Sequence, residues 1–272
     1  MPMPASPPLV LTIAGSDSSA GAGIQADLKS IAAMGGYGLN ALTSVVSETP
    51  GNVSLVRLLD EAIISDQIRV LMEGFPIRAA KTGMLGGKAQ VSAVVQQWQA
   101  SGGNRIPLVV DPVMVATGGG KLLEDDAVIH IMDHLLPLAH VITPNMDEAE
   151  VLSGDKLRNR DDLAACAEKL GRRFGVAVLI KGGHLGDAEE AADVLWDAGE
   201  WKWFTTPRTQ GVHTHGTGCA YSAAIATGLA RGLHLHEAVN AAKQFISRAI
   251  SDHFVWEGTH GTVHALHHLH SR

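Results

Sequence analysis

Five short apolar runs, at residues 9–14, 79–81, 108–110, 141–142 and 176–180, each stop at a polar or glycine-bearing turn. Amphipathic stretches at 24–34, 62–72, 89–100, 127–136 and 161–174 lie between them. A run that is apolar throughout, rather than at every second residue, belongs to a strand covered on both faces, and helices supply the cover. The alternation predicts an α/β fold with a mainly parallel sheet between two layers of helices. No shift in composition and no internal repeat marks a second domain, so residues 1–272 read as one domain, with 1–8 (MPMPASPP) a flexible N-terminus.

In an open α/β sheet, ligands bind beyond the carboxyl ends of the strands. The residues at those ends are Ser16 and Asp17; Lys81, Thr82 and Gly83; Asp111; Asn145 with Glu148; and Lys181, Gly182, Gly183 and His184. The topology therefore predicts that five distant segments meet at one crevice.

A further segment carries its own chemistry. Thr214, His215, Gly216, Thr217, Gly218 and Cys219 precede the small-residue run AYSAAIA at 220–226. Two glycines and a threonine opening a helix leave several backbone N–H groups free at the positive end of its dipole, a site for a phosphate or an oxyanion. Cys219 in the first turn stands in the same field, which favours thiolate over thiol. The competing reading is a glycine turn into a buried helix, with Cys219 a small inert core residue.

The loop GSDSSAGAG at 15–23 follows the first run, but its glycines do not keep the dinucleotide-binding spacing. It reads as a close-approach loop for a small substrate, with Asp27 facing the strand ends or merely complementing the helix dipole. Asn145 and Glu148 are spaced either as a helix cap or as part of a Mg²⁺ site, with Asp111 supplying a second carboxylate. Lys181 beside two glycines suits a nucleotide's phosphate tail.

A net charge of −7 with no Lys/Arg-rich run leaves nucleic acid and anionic membranes as poor partners. No run has the length of a membrane span, the N-terminus lacks the blocks of a signal peptide, and Cys166 and Cys219 form no disulfide framework or zinc site. The expectation is a cytoplasmic protein. The histidines at 264, 267, 268 and 270 fit no defined metal site and read as a solvated tail.

Taken together, the chain resembles the ribokinase-like small-molecule kinases, and more closely the hydroxymethylpyrimidine/phosphomethylpyrimidine kinases of thiamine biosynthesis. The resemblance rests on LTIAGSD at 11–17, AGAGIQADLK at 20–29, KTGML at 81–85, DPVM at 111–114, ITPN at 142–145 with Glu148, KGGH at 181–184, THGTGC at 214–219, and His260-Gly261 with Val263-His264. It implies a ribokinase-like three-layer α/β/α sandwich and a homodimer. The implied enzyme uses ATP and Mg²⁺ to phosphorylate 4-amino-5-hydroxymethyl-2-methylpyrimidine, then its monophosphate. By the same resemblance Gly15, Asp27, Met84 and Val113 line the pyrimidine pocket, and Cys219 is the general base. Gly216 and Gly218 form the anion hole, Lys181, Asn145 and Thr217 bind ATP, and Glu148 and Asp111 hold the metal.

One position departs from the family pattern. Ser47-Glu48-Thr49-Pro50 stands where the family carries a glutamine that contacts the pyrimidine, and an ionised Glu48 only accepts hydrogen bonds. A Glu48 whose pKa is raised by burial shares a proton with a ring nitrogen instead. The departure keeps a pyridoxal-type kinase in view. A cysteine acyl-transferase or hydrolase pairing Cys219 with His215, and a non-catalytic ligand sensor, are the alternatives from other classes.

Overall fold

The computed structural model describes residues 6–114, 125–183, 185, 189–212, 215–258 and 261–269, so the readings placed on residues 1–5, His184, Thr214, His260 and His270 lie outside the described residues. In chain order the elements are β1 (Leu9–Ala14), α1 (Gly23–Ala33), β2 (Tyr37–Leu42), β3 (Ser44–Thr49), β4 (Asn52–Leu58), α2 (Glu61–Gly74), β5 (Ile77–Thr82), α3 (Lys88–Ala100), β6 (Leu108–Val110) and α4 (Asp125–His130). They continue with β7 (Val141–Ile142), α5 (Met146–Ser153), α6 (Arg160–Phe174), β8 (Ala177–Gly182), β9 (Glu190–Asp197), β10 (Glu200–Pro207), α7 (Thr217–Ala230), α8 (Leu235–Ser251), β11 (Phe254–Gly258) and β12 (Gly261–Ala265).

Eight strands form one sheet in the order β10-β9-β8-β7-β6-β5-β1-β2. From β2 to β8 neighbouring strands are parallel, and β9 and β10 close the other edge as an antiparallel hairpin. The five apolar runs are β1, β5, β6, β7 and β8, adjacent in the sheet although α helices separate them in the chain. Both faces are covered, as the unbroken apolar runs require. Leu11 and Ile13 face a layer containing α2, α3, α5 and α6, while Val10 and its neighbours Ala79 and Val109 face α1, α7 and α8. Removing the buried side chain of Ile13 in such a layer costs about 2–5 kcal/mol.

α7 is almost entirely buried, and its alanines and glycines let it lie close to α8 and the sheet. That closeness places its N-terminus directly at the strand ends. The helix expected at 127–136 is shorter: α4 ends at His130, a π turn follows over Ile131–Leu135, and a 3-10 turn over Leu136–Leu138 carries Pro137, which donates no backbone hydrogen bond.

Two features correct the sequence reading. The hairpin β3–β4, which the apolar runs did not announce, stands off the main sheet with Pro50 and Gly51 at its turn. Among the described residues, His264, His267 and His268 are not a solvated tail, because β12 pairs with β11, Leu266 is buried, and the His267 N–H donates to the Ala249 carbonyl at 3.1 Å. At the other end, the Pro8 carbonyl accepts from Tyr37 N–H at 2.9 Å, so the chain is already fixed before β1.

Candidate active site

The loop after β1 folds around Asp17. Its Oδ1 accepts from the Ser19 amide at 2.6 Å and hydroxyl at 2.7 Å, and its Oδ2 from the amides of Gly21 and Ala22 at 3.0 and 2.7 Å. Burial opposes this charge, yet His215 and these hydrogen bonds hold Asp17 well below the usual carboxylate range. The same loop carries the β3–β4 hairpin: Ser16 N–H donates to Ser44 O at 2.9 Å, and the Ser18 hydroxyl bonds both backbone groups of Glu48. Gly15 sits between the hairpin and the β5 loop, and a side chain there would meet the Ser44 hydroxyl and approach Met84 Sδ at 3.8 Å. Met84 and Val113 are half-buried at the neighbouring strand ends. Val113 has φ +28°, a strained conformation for a β-branched residue.

Gly216 caps α7 in the left-handed conformation, φ +81°, and leaves the amides of Thr217, Gly218 and Cys219 at the helix N-terminus. Lys181, at the end of β8, faces this cradle: a Cβ on Gly218 would lie 3.1 Å from its Nζ. Lys181 Nζ also binds Asp111 Oδ1 at 2.9 Å, and Ser222, one turn into α7, donates to Asp111 Oδ2 at 3.2 Å. Ser222 was hidden in the small-residue run, and its spacing of four from Gly218 is the signal that finds it. Burial opposes the ammonium of Lys181, but Asp111 and Glu148 raise it. Burial likewise opposes the charge of Asp111, and Lys181 and Lys81 hold it low.

Asn145 and Glu148 make the capping box that their spacing allows. The Asn145 side chain accepts from Glu148 N–H at 2.9 Å, and Glu148 Oε2 accepts from Asn145 N–H at 2.9 Å. Its Oε1 takes the Met114 amide at 3.3 Å. Burial pushes Glu148 up, the charge of Asp111 adds to this, and Lys181 opposes it. A parallel backbone bridge also joins Asn145 to Lys181, beyond the carboxyl end of β7. The capping and the carboxylate pair thus coexist.

Two expectations need correction. Asp27 does not line an open pocket: it is fully enclosed, its carboxylate oxygens each 2.8 Å from Lys81 Nζ, with Thr12 donating at 2.6 Å. It is the fifth residue of α1, past the first turn that faces the helix terminus. Cys219 is not favoured as thiolate. It keeps partial exposure, but burial pushes its thiol up to about 11 against the pull of Lys81. The helix field is real; the loss of solvent outweighs it.

Glu48, on the hairpin, turns its carboxylate to His215, with Oε2 3.7 Å from Nε2. Its pKa is raised by burial and then by Asp17. With His215 engaged by Asp17 and Glu48 and the thiol raised, the activated Cys–His pair required by the hydrolase reading is missing among the described residues.

Backbone amides at a helix N-terminus, a lysine, buried carboxylates and a thiol, gathered at the carboxyl ends of a parallel sheet, are a set of groups that phosphoryl transfer can use. On this sheet they make the protein a small-molecule kinase with the ribokinase-like fold. The chain belongs to the phosphomethylpyrimidine kinase family, whose sequence pattern it matches over residues 17–264. It is 41% identical to the hydroxymethylpyrimidine/phosphomethylpyrimidine kinase of Streptomyces coelicolor over 263 residues, 96% of this chain and 95% of that one. It is also 41% identical to a bifunctional thiamine biosynthesis protein of Geobacter sulfurreducens, covering 89% of this chain but 49% of that longer protein. Among solved structures, the ADP complex of Bacillus subtilis pyridoxal kinase superposes with a TM-score of 0.87 at 37% identity, over 97% of this chain and 99% of that one. The phosphomethylpyrimidine kinase of Clostridium difficile gives 0.79 at 39%, over 89% and 99%.

Proposed function

We propose that this protein is an ATP- and Mg²⁺-dependent kinase. It phosphorylates the hydroxymethyl group of 4-amino-5-hydroxymethyl-2-methylpyrimidine, and then the monophosphate to the diphosphate, in thiamine biosynthesis. The observation that carries the reading is the cradle at 216–219, where the backbone of the α7 N-terminus, Lys181 and the Cys219 sulfur converge at the carboxyl ends of a parallel sheet. Gly216, Thr217 and Gly218 offer amides to the transferring phosphoryl group, Lys181 meets the nucleotide's phosphates, and Asn145 holds the turn beside it. Gly15, Met84 and Val113 enclose the pyrimidine under the hairpin that bears Glu48.

The donor set of Asp111 and Glu148 fits a divalent cation: two buried carboxylates share one lysine, and burial, with the charge of Asp111 added, pushes Glu148 up. Bound there through them, Mg²⁺ would neutralise phosphate oxygens. Cys219 holds its proton at neutral pH, so taking the alcohol's proton requires prior ionisation, for which Lys81 supplies the nearby cation. General-base help of this kind is worth about 10²–10⁴ in rate.

A single domain would carry the activity. Two unpaired cysteines accord with a reducing, cytoplasmic setting, and no described helix is long and apolar enough to cross a membrane. Exposed Val45, Val53, Leu55, Val56 and Leu58 support a homodimer through the β3–β4 hairpin. The likeness to a pyridoxal kinase and the acid at Glu48 favour pyridoxal as the second substrate to try.

The test is incubation with ATP, Mg²⁺ and the aminopyrimidine alcohol, or pyridoxal, followed by mass spectrometry. Mono- and diphosphate of the pyrimidine support the proposal. Preferential phosphorylation of pyridoxal replaces the substrate, and ligand binding with no phosphorylated product overturns the reading.

A further inference from the structure

Three segments that phosphoryl transfer uses separately meet at one imidazole. His215 directly precedes Gly216, the cap of α7. Its Nε2 lies 3.2 Å from Asp17 Oδ2 and 3.7 Å from Glu48 Oε2. Asp17 belongs to the loop after β1, and Glu48 to the hairpin. The ring rests against Gly21, where a Cβ would come within 3.1 Å of Cδ2. Asp17, Glu48 and His215 are also the described trio whose ligand atoms lie within 4.8 Å of one another. Four donors from Ser19, Gly21 and Ala22 already reach the Asp17 oxygens, so His215 adds an ionic contact to a carboxylate that its own loop holds in place.

The geometry points to His215 as a positioning residue: as an imidazolium it clamps the β3–β4 hairpin, through Glu48, and the glycine-rich loop, through Asp17, to the anion cradle that begins at the next residue. Loss of the His215 proton, or protonation of Glu48, opens the clamp. Its effect on turnover rests on the kinase reading, but the clamp itself is a property of the ligand-free chain.

The charges that face His215 among the described residues are Asp17 from the β1 loop and Glu48 from β3. Burial opposes its positive charge, and these two carboxylates more than offset that, raising its pKa. A raised histidine is charged below its folded pKa, so the clamp is closed below that value and lost as pH climbs through it. Glu48 is raised too, so the acid side of the window closes as pH falls through its folded pKa.

Amide hydrogen exchange on the ligand-free protein tests this. Protection factors of the β3 and β4 amides, corrected for intrinsic pH dependence, should fall at least about threefold between roughly pH 7 and pH 9.5, while the β11–β12 amides stay level. His215→Gln and Glu48→Gln should each give the lowered protection at every pH. In turnover, KM for the alcohol should rise by a similar factor over the same range in the wild type and be flat in His215→Gln. Wild-type protection that does not change with pH, or a Gln variant that keeps the wild-type profile, overturns the clamp. Exchange that behaves as expected in a protein without kinase activity leaves the clamp standing and removes only the kinase reading.

Discussion

Lys81 Nζ stands 2.8 Å from both carboxylate oxygens of Asp27, and neither side chain reaches solvent. Burial opposes the ammonium, but Asp27, with Cys219 and Asp111 behind it, keeps Lys81 above the usual lysine range. Removing one partner strands the other's charge in the interior. Lys81→Met should therefore destabilise the fold by about 3–5 kcal/mol in urea denaturation, and Lys81→Met with Asp27→Leu should recover most of that loss. Equal losses in the single and double variants would show that the pair is not held as ions.

The thiol of Cys219, pushed up to about 11, is mostly protonated at neutral pH. Its alkylation by iodoacetamide should be slow near neutrality and rise about tenfold per pH unit through the alkaline range, since only the thiolate reacts. Cys219→Ala should lower kcat at least about tenfold and leave ATP affinity nearly unchanged. A pH-independent alkylation rate contradicts the burial argument, and an unchanged kcat removes Cys219 from proton transfer.

The contrast between Lys81 and Cys219 marks what is legible in such a chain. β1, β6 and β7 coincide with their apolar runs, β5 begins two residues before its run and ends one after, and β8 starts one residue later than its run and ends two later, because a strand covered on both faces must be apolar throughout. Once those strands are parallel, Asp111, Glu148 and Lys181 have to meet. β3 and β4 escaped because β4 is exposed throughout and β3 buries only Ser44 and Val46 fully, one of them polar, so no apolar period marks the hairpin. The Asp27–Lys81 pair spans 54 positions and follows no local period. Cys219 was misread for a related reason: a helix N-terminus is visible in a string of letters, while desolvation depends on everything packed around it. The link from His215 to Glu48 was hidden in the same way, as a contact between segments far apart in the chain.

Glu148→Gln keeps an acceptor for Asn145 N–H and removes the charge, which separates capping from metal binding. The Mg²⁺ concentration for half-maximal rate should rise at least about tenfold, with little change in thermal stability. Glu148 is raised, so protons compete with the cation as pH falls toward that pKa, and the wild-type Mg²⁺ requirement should climb on the acid side. The Gln variant should show a flatter dependence. An unaltered Mg²⁺ requirement would leave Glu148 as a cap alone.

Gly216 and Gly218 test the cradle by different routes. Gly216 holds φ +81°, and a Cβ there would collide with the backbone of Gly21 and Ala22 in the loop around Asp17. Backbone cannot swing aside as a side chain can, so Gly216→Ala must displace either α7's first turn or that loop. Activity should fall at least about a hundredfold, with the melting temperature lowered as well. At Gly218 the neighbour is the flexible tip of Lys181, 3.1 Å from the added carbon, with Asp111 Oδ2 at 3.7 Å. Gly218→Ala should therefore fold normally, raise KM for ATP by about tenfold, and change KM for the alcohol much less. Equal damage to both Michaelis constants would mean that Lys181 does not face the nucleotide, and an active, stable Gly216→Ala enzyme would mean that the loop and the helix terminus do not need their close approach.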